Sequence, residues 1–202
     1  MKTYVISDMH FNHHNICGED GFVETRRRFA NVDEMNEYLI KTWNKRVRPE
    51  DTVYHLGDFA MNQKPKDTLE ILRKLNGTII MVKGNHDSTK LLKTINRDEE
   101  LRERVFWSDV GVILKQERKI IHLTHYPLII GSRGNRVNLH GHIHEMAYQE
   151  PNLLNVGVDS PELTLHPFGT PYTIKECIDL IEEKEKRFNE SGLTYTKHGT
   201  IE

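Results

Sequence analysis

Residues 4–16 read YVISDMHFNHHNI, and within them a short apolar, β-branched run (Tyr4, Val5, Ile6) passes almost directly into an acid, Asp8, and an imidazole, His10. The same step recurs along the chain. Thr52 to Leu56 runs into Gly57 and Asp58, and Thr78 to Val82 runs into Gly84, Asn85, His86 and Asp87. Lys119 to Leu123 is followed by His125, and Val137 to Leu139 by Gly141, His142, Ile143 and His144. Between the first three runs the spacing turns helical. Asp33 is expected to cap a helix with Met35, Leu39, Trp43 and Val47 on one face and Pro49 past its end, and Leu69, Leu72 and Leu75 mark another, ended by Asn76 and Gly77. A β-α-β-α-β order predicts an α/β (α+β) layered domain. In such domains the loops beyond the carboxyl ends of the strands gather the site, so the motifs are expected to converge in space.

After Val105 the texture changes. Val110 to Leu114 and Lys119 to Leu123 read as a hairpin with a polar turn at Gln116 and Glu117, and Leu153 to Val158 reads as a further strand. Thr173 is expected to cap a last helix carrying Ile174, Cys177, Ile178 and Ile181, leaving residues 188–202 as a polar tail behind a single domain over residues 1–187. The stretch from Pro161 to Pro171 fits no pattern.

Composition narrows the function. With 28 basic against 30 acidic residues there is no positive excess to advertise nucleic acid or an anionic membrane, so nucleic acid is expected at most as a substrate. The run Tyr4 to Ile6 is too short for a signal peptide before Asp8, and no apolar stretch is long enough to span a bilayer. A soluble cytoplasmic protein is expected, with no membrane partner and Cys17 and Cys177 as free thiols. Twelve histidines against 2 cysteines, placed at sites that also hold Asp or Asn, point instead to a metal.

Asp8 and His10, like His142 and His144, stand two positions apart, which in extended backbone aims both side chains at one locus. Carboxylate with imidazole suits Mn²⁺, Fe, Zn²⁺ or Ni²⁺, with Mn²⁺ the first expectation. The candidate ligands are Asp8, His10, Asp58, Asn85, His125, His142 and His144. They are too many for one ion and suit two divalent ions sharing a carboxylate, the clamp used in phosphate chemistry. Glycines 57, 84 and 141 are expected to let the backbone turn tightly beside them.

The ordered set DMH, GD, GNHD, a lone histidine and GHIH, over residues 8–144, resembles the calcineurin-like metallophosphoesterase superfamily. The stretches ISDMHFNHHNI and DTVYHLGDF are similar to its small bacterial and phage phosphoesterases. The resemblance implies a two-layered β-sheet sandwich flanked by helices, with Asp8, His10, Asp58 and His144 around one ion and Asp58, Asn85, His125 and His142 around a second. Asp58 would bridge, and His86 would protonate the leaving oxygen. Protein serine/threonine phosphatases extend the GD motif to GDxVDRG; here Asp58 is followed by Phe59, Ala60 and Met61, which sets that reading aside.

The function expected is phosphoester hydrolysis by a hydroxide bridging two ions, on a small or nucleotide-like diester, with His86 as general acid. A phosphomonoesterase, a nuclease and a non-catalytic interaction scaffold are the alternatives. Asn85, His14, Arg133 and Arg136 are candidate substrate contacts, the arginines because guanidinium matches phosphate oxygens and residues 131–136 form a Gly-containing loop upstream of GHIH. Two readings stand for His13 and His14, a contact to phosphate or a polar loop, and two for Asp87, a helix cap or support for the metal ligands. His55 and His122 are expected to pack within strands, His140 is open to a supporting role, and His166 and His198 read as surface residues. Arg26, Arg27 and Arg28 read as a solvated charged face. Oligomeric state is not legible.

Overall fold

The computed structural model describes residues 1–61, 64–131 and 134–193. The first half alternates as the hydrophobic spacing requires: β1 (Thr3–Ile6), α1 (Val32–Arg46), β2 (Thr52–His55), α2 (Pro65–Lys74), β3 (Thr78–Val82), α3 (Thr89–Ile95) and β4 (Val105–Ser108). There follow β5 (Gly111–Gln116), β6 (Lys119–Thr124), β7 (Arg136–His140), β8 (Leu153–Asn155), β9 (Tyr172–Thr173) and α4 (Ile174–Glu190). One sheet has the order β4-β3-β2-β1-β9, with β1 to β4 parallel and β9 antiparallel to β1. The other has the order β5-β6-β7-β8, a β5–β6 hairpin continued by parallel β7 and β8.

Strand alternation accounts for the layering. Tyr4 and Ile6 join Met35, Leu39 and Trp43 of α1 and Leu69 and Leu72 of α2 in one buried cluster. Val5, on the opposite face of β1, packs with Ile121, Leu123, Val137 and Leu139 of the second sheet and with Ile174, Cys177, Ile178 and Ile181 of α4. Burial on both faces is why β1 is apolar throughout Tyr4 to Ile6 rather than alternating. The chain is thus a two-layered β-sheet sandwich with flanking helices.

The sheets are stitched together at their carboxyl ends. Ser7, one residue past β1, bridges in parallel to Gly157, two residues past β8. Its N–H donates to the Val156 carbonyl at 3.1 Å, and its carbonyl accepts from Val158 N–H at 3.1 Å. The loops after β1, β2 and β3 therefore open beside those after β6 and β7.

Several local expectations are corrected. Asn31, in extended backbone, caps α1 by accepting from Glu34 N–H at 3.0 Å; Asp33 already lies in the first turn, where its charge complements the helix dipole. The hairpin turns at Glu117 and Arg118, both with positive φ, one residue later than expected, since a two-residue turn of that hand matches the twist of its strands. β4 and β9 were not anticipated, having only four and two residues. α4 runs through Glu190, beyond residue 187, while residues 194–202, including His198, lie outside the described residues. The proline-rich stretch covers one end of the first core: Phe168 packs at a tilt against Phe29, and the Tyr172 hydroxyl accepts the N–H groups of Leu165 and His166. His166 is no free surface residue, because its Nε2 meets Glu176 Oε1 at 2.8 Å. Among the described residues no helix is long and apolar enough to cross a membrane.

Candidate metal centre

All seven candidate ligands gather at the stitched edge. Asp8 and His10 follow β1, Asp58 follows β2, Asn85 follows β3, His125 follows β6, and His142 and His144 follow β7. Among the described residues two groups offer ligand atoms mutually within 4.8 Å: Asp8, His10 and His144, and Asp58, His125 and His142. The Oδ2 atom of Asp58 faces both, standing 3.6 Å from His10 Nε2 and 3.5 Å from His125 Nε2. These gaps are too long for hydrogen bonds. They are the separations of atoms that share an ion, since ligands each about 2.0–2.2 Å from a metal lie roughly 3–4 Å apart.

Each carboxylate spends one oxygen on the backbone and leaves the other bare. Asp58 Oδ1 accepts from His86 N–H at 2.8 Å, and Asp8 Oδ2 accepts from His142 N–H at 3.0 Å. Asp8 Oδ1 and both ring nitrogens of His10 are buried with no hydrogen-bond partner. His125 Nδ1 lies 2.8 Å from the Leu56 carbonyl, and its Nε2 lies 2.8 Å from Asn85 Oδ1. With Nδ1–H donating to that carbonyl, Nε2 is the nitrogen turned toward the Asn85 amide oxygen. Orphaned buried donors and acceptors facing one another across such gaps fit divalent cations held by nitrogen and oxygen.

The backbone that aims these groups differs from the expected extended one. Asp8, His10, Asp58, His142 and His144 all adopt positive φ, between 46° and 72°. The paired side chains of the DMH and GHIH motifs converge because the chain coils left-handed there. Gly57, at φ +98°, is the one glycine of the three whose turn demands it. Gly84 and Gly141 are required for close approach instead: a Cβ on Gly84 would collide with Asp58 Oδ1, and one on Gly141 with Ser7 Oγ and Asp8 Oδ2.

Electrostatics follow from burial. In the metal-free protein burial pushes the Asp8 carboxyl up to about 6. Burial, then the Arg26 charge, drives His10 far below the ordinary histidine range, which keeps the ring neutral. Burial and the neighbouring His125 lower His142 as well. Burial also works against charge on His144, but the hydrogen bond to Asp159 and the Asp8 carboxylate outweigh it, and its pKa is raised.

His86 stands at the mouth of the cluster, about one-third exposed, with Nε2 4.0 Å from Asp58 Oδ2 and its ring in edge contact with His10. Beside it opens a groove of about 650 Å³ lined by Asn12, His13, His14, Asn15, Asp33 and Asp67 among others. His14 is thus on the wall of that groove. His13 packs against the rings of His10 and Phe22, and burial, then Arg26, lowers its pKa to about 4. Arg136 does not join the site. It opens β7, whose other end carries GHIH, so its Cα is about 13 Å along the strand from that loop at about 3.3 Å per residue. Arg133 lies outside the described residues.

Two residues beside the cluster, Asp159 and Tyr126, escaped the sequence reading, and two that it named, Asp87 and Arg26, are now placed. Ser88 caps α3, while Asp87 accepts the N–H groups of Asp58, Phe59 and Gly84 and so fixes the Asp58 turn. Asp159 accepts from His144 Nδ1 at 3.0 Å. It follows the Leu153 to Val158 run, so the rule that found Asp8 and Asp58 applies to it too. Arg26 is fully buried against Asp159 rather than on a solvated face, whereas Arg27 and Arg28 are exposed. Tyr126, half exposed, sets its ring edge-on to His142 with centroids 4.6 Å apart. His55 packs on Phe59 and His140 bonds the Gly141 carbonyl, both within or at the end of strands.

A histidine and carboxylate cluster with room for two ions, at the joined carboxyl edges of two sheets, is the architecture of metal-dependent phosphoesterases. The profile of the calcineurin-like phosphoesterase superfamily domain matches residues 1–168, and the chain belongs to that superfamily. An uncharacterised protein of Methanocaldococcus jannaschii is 49% identical over 87 residues, 43% of this chain; the match spans about half, 47%, of that relative's length. A solved Aquifex aeolicus protein of unknown function is 27% identical, with a TM-score of 0.60 over 89% of this chain and 98% of that one. An archaeal phosphodiesterase structure is 20% identical, with a TM-score of 0.48 over 79% and 84%.

Proposed function

We propose that the protein is a phosphodiesterase that uses two divalent metal ions on a small or nucleotide-like substrate. One observation carries the reading: Asp58 Oδ2 faces His10 and His125 at nearly equal distances, between two triads of nitrogen and oxygen donors. Asp8, His10, Asp58 and His144 would hold one ion and Asp58, Asn85, His125 and His142 the other, with Mn²⁺ the first choice for so mixed a donor set. When bound, such a pair supplies a nucleophile from solvent at neutral pH and neutralises charge on the phosphoryl oxygens.

The protein's own part is positioning and proton delivery. Asp87 holds the Asp58 backbone and the His86 N–H holds its Oδ1, so the other carboxylate oxygen needs no reorganisation when substrate arrives. The His86 ring, exposed at the mouth of the cluster, would meet the substrate there and deliver a proton to the departing oxygen. The groove beside it would take the leaving group. Asn12 and Asn15, with carboxylates Asp33 and Asp67, suit hydroxyls and amines of a leaving group, and Lys64 lines the same groove. We further take residues 1–187 to work as one domain, since α4 shares a core with β1 and β7, and the compartment to be the cytoplasm, where the buried thiols of Cys17 and Cys177 stay reduced.

The test is a panel with Mn²⁺: bis-p-nitrophenyl phosphate, p-nitrophenyl phosphate, 2′,3′-cyclic nucleotides and a single-stranded oligonucleotide. Metal-dependent cleavage of the small diesters ahead of the monoester and the oligonucleotide is expected. Preference for the oligonucleotide would make the protein a nuclease, and no turnover by metal-loaded protein would make it a scaffold.

A further inference from the structure

Directly behind the Asp8, His10 and His144 group lies a buried ion pair that belongs to none of the motifs. Arg26 is inaccessible to solvent, and Asp159 nearly so. Arg26 Nε and Nη2 grip the Asp159 carboxylate at 2.8 and 2.7 Å, the two-pronged geometry that a guanidinium is shaped for. The rest of the fork is turned on the backbone: Nη2 donates to the Asp8 carbonyl at 2.5 Å and Nη1 to the Met9 carbonyl at 2.8 Å. Those carbonyls lie inside the left-handed turn that aims Asp8 and His10. Asp159 in turn accepts from Nδ1 of His144 at 3.0 Å and from the Thr25 hydroxyl at 2.7 Å.

One ion pair thus holds both chain segments that furnish the first triad. From Arg26 a rigid fork reaches the backbone of Asp8 and Met9; from Asp159 a hydrogen bond fixes the rotation and tautomer of His144, so that Nε2 is the nitrogen left for the cluster. The second triad has separate supports. His125 is oriented by the Leu56 carbonyl and Asp58 by Asp87, and the hydrogen bonds of the Arg26–Asp159 pair reach none of Asp58, Asn85, His125 or His142. A lysine could not substitute for Arg26, because a single ammonium cannot present planar paired donors to a carboxylate and still reach two carbonyls.

We propose that Arg26 and Asp159 are positioning residues for one ion site alone, the one formed by Asp8, His10 and His144, and that they set its affinity independently of its neighbour. The proposal rests on the two-ion reading above.

Mn²⁺ titration followed by electron paramagnetic resonance tests it. Wild-type protein should take up two Mn²⁺ per chain and give the spectrum of a coupled pair. Asp159→Asn keeps an oxygen for His144 but loses the charge that holds Arg26. It should weaken one site about 10- to 100-fold, leave the other unchanged, and give the six-line signal of an isolated Mn²⁺ at concentrations that fill both sites in wild type. Because an unpaired buried guanidinium can itself unfold the chain, the double variant Arg26→Met with Asp159→Asn removes both charges and still abolishes the grip on Asp8 and Met9. The same selective loss is expected from it, with the metal-free melting temperature near that of wild type. Either variant, folded and binding two ions at wild-type affinities, overturns the proposal. Equal weakening of both sites overturns it as well, as does failure of both variants to fold even with Mn²⁺ present, since the pair would then serve the fold at large. Wild-type protein that binds fewer than two ions overturns the two-ion reading first, and this inference with it.

Discussion

Five of the seven residues proposed as ligands sit in left-handed backbone, a conformation costing a non-glycine residue about 1–2 kcal/mol. Strain of that kind persists where surrounding structure enforces it, and here the enforcing contacts are visible: Asp87 on the Asp58 turn, Arg26 on the Asp8 turn. The seven were legible in the sequence because each follows a strand-like run and carries metal-binding chemistry. Asp87 was open to two readings, and Arg26 was not legible, because an arginine buried at the end of a short 3-10 turn looks the same in sequence as a solvated one. His86 stands at the exposed mouth of the site, 4.0 Å from Asp58 Oδ2. His86→Ala is therefore expected to lower kcat by roughly 10² to 10⁴ while leaving metal content intact, as measured by elemental analysis beside steady-state kinetics. An alkyl or ribose leaving group should suffer the whole loss and a p-nitrophenolate leaving group should be partly spared. Equal loss on both would assign His86 to phosphate binding, and no loss would remove it from the reaction.

At the scale of elements, the strands and helices that define the layers were readable because their apolar periods are long enough to register, as in α1 and α4. The two strands that were missed, β4 and β9, gain stability from neighbours rather than from any pattern of their own. α4 illustrates how an element is fastened at its start. Thr173 and Glu176 form a capping box, and Glu176 also takes Arg46 Nη2 of α1 at 2.5 Å and His166 Nε2 at 2.8 Å. Burial would raise the Glu176 carboxyl, but Arg46, Thr173 and His166 outweigh it and hold it at about 2, below its ordinary 4.5. A carboxylate with a depressed native pKa adds stability that is complete above its unfolded value and disappears as pH falls through the native one. Glu176→Gln is thus expected to be less stable than wild type at pH 7 by about 1–3 kcal/mol, with the gap closing as pH drops from about 4.5 toward 2. Urea unfolding midpoints of both proteins from pH 7 to pH 3 measure this; a gap that stays constant across the range would mean that the charge contributes nothing.

For the whole molecule, the decisive feature is that two sheets packed through a shared core are also joined at their carboxyl edges, by the Ser7–Gly157 bridge. The first sheet delivers Asp8, His10, Asp58 and Asn85, the second delivers His125, His142 and His144, and neither could assemble a pair of ion sites alone. That pairing of sheets was not readable from periodicity, which is local; it followed only from the ordered motif set and the superfamily it resembles. In the proposed function the joined edge holds two ions astride Asp58. Anomalous diffraction from crystals grown with Mn²⁺ tests it most directly. Two peaks about 3.5–4 Å apart are expected, one beside Asp8, His10 and His144 and one beside Asn85, His125 and His142, with the Asp58 carboxylate between them. A single peak, or none, in crystals saturated with Mn²⁺ would contradict the account.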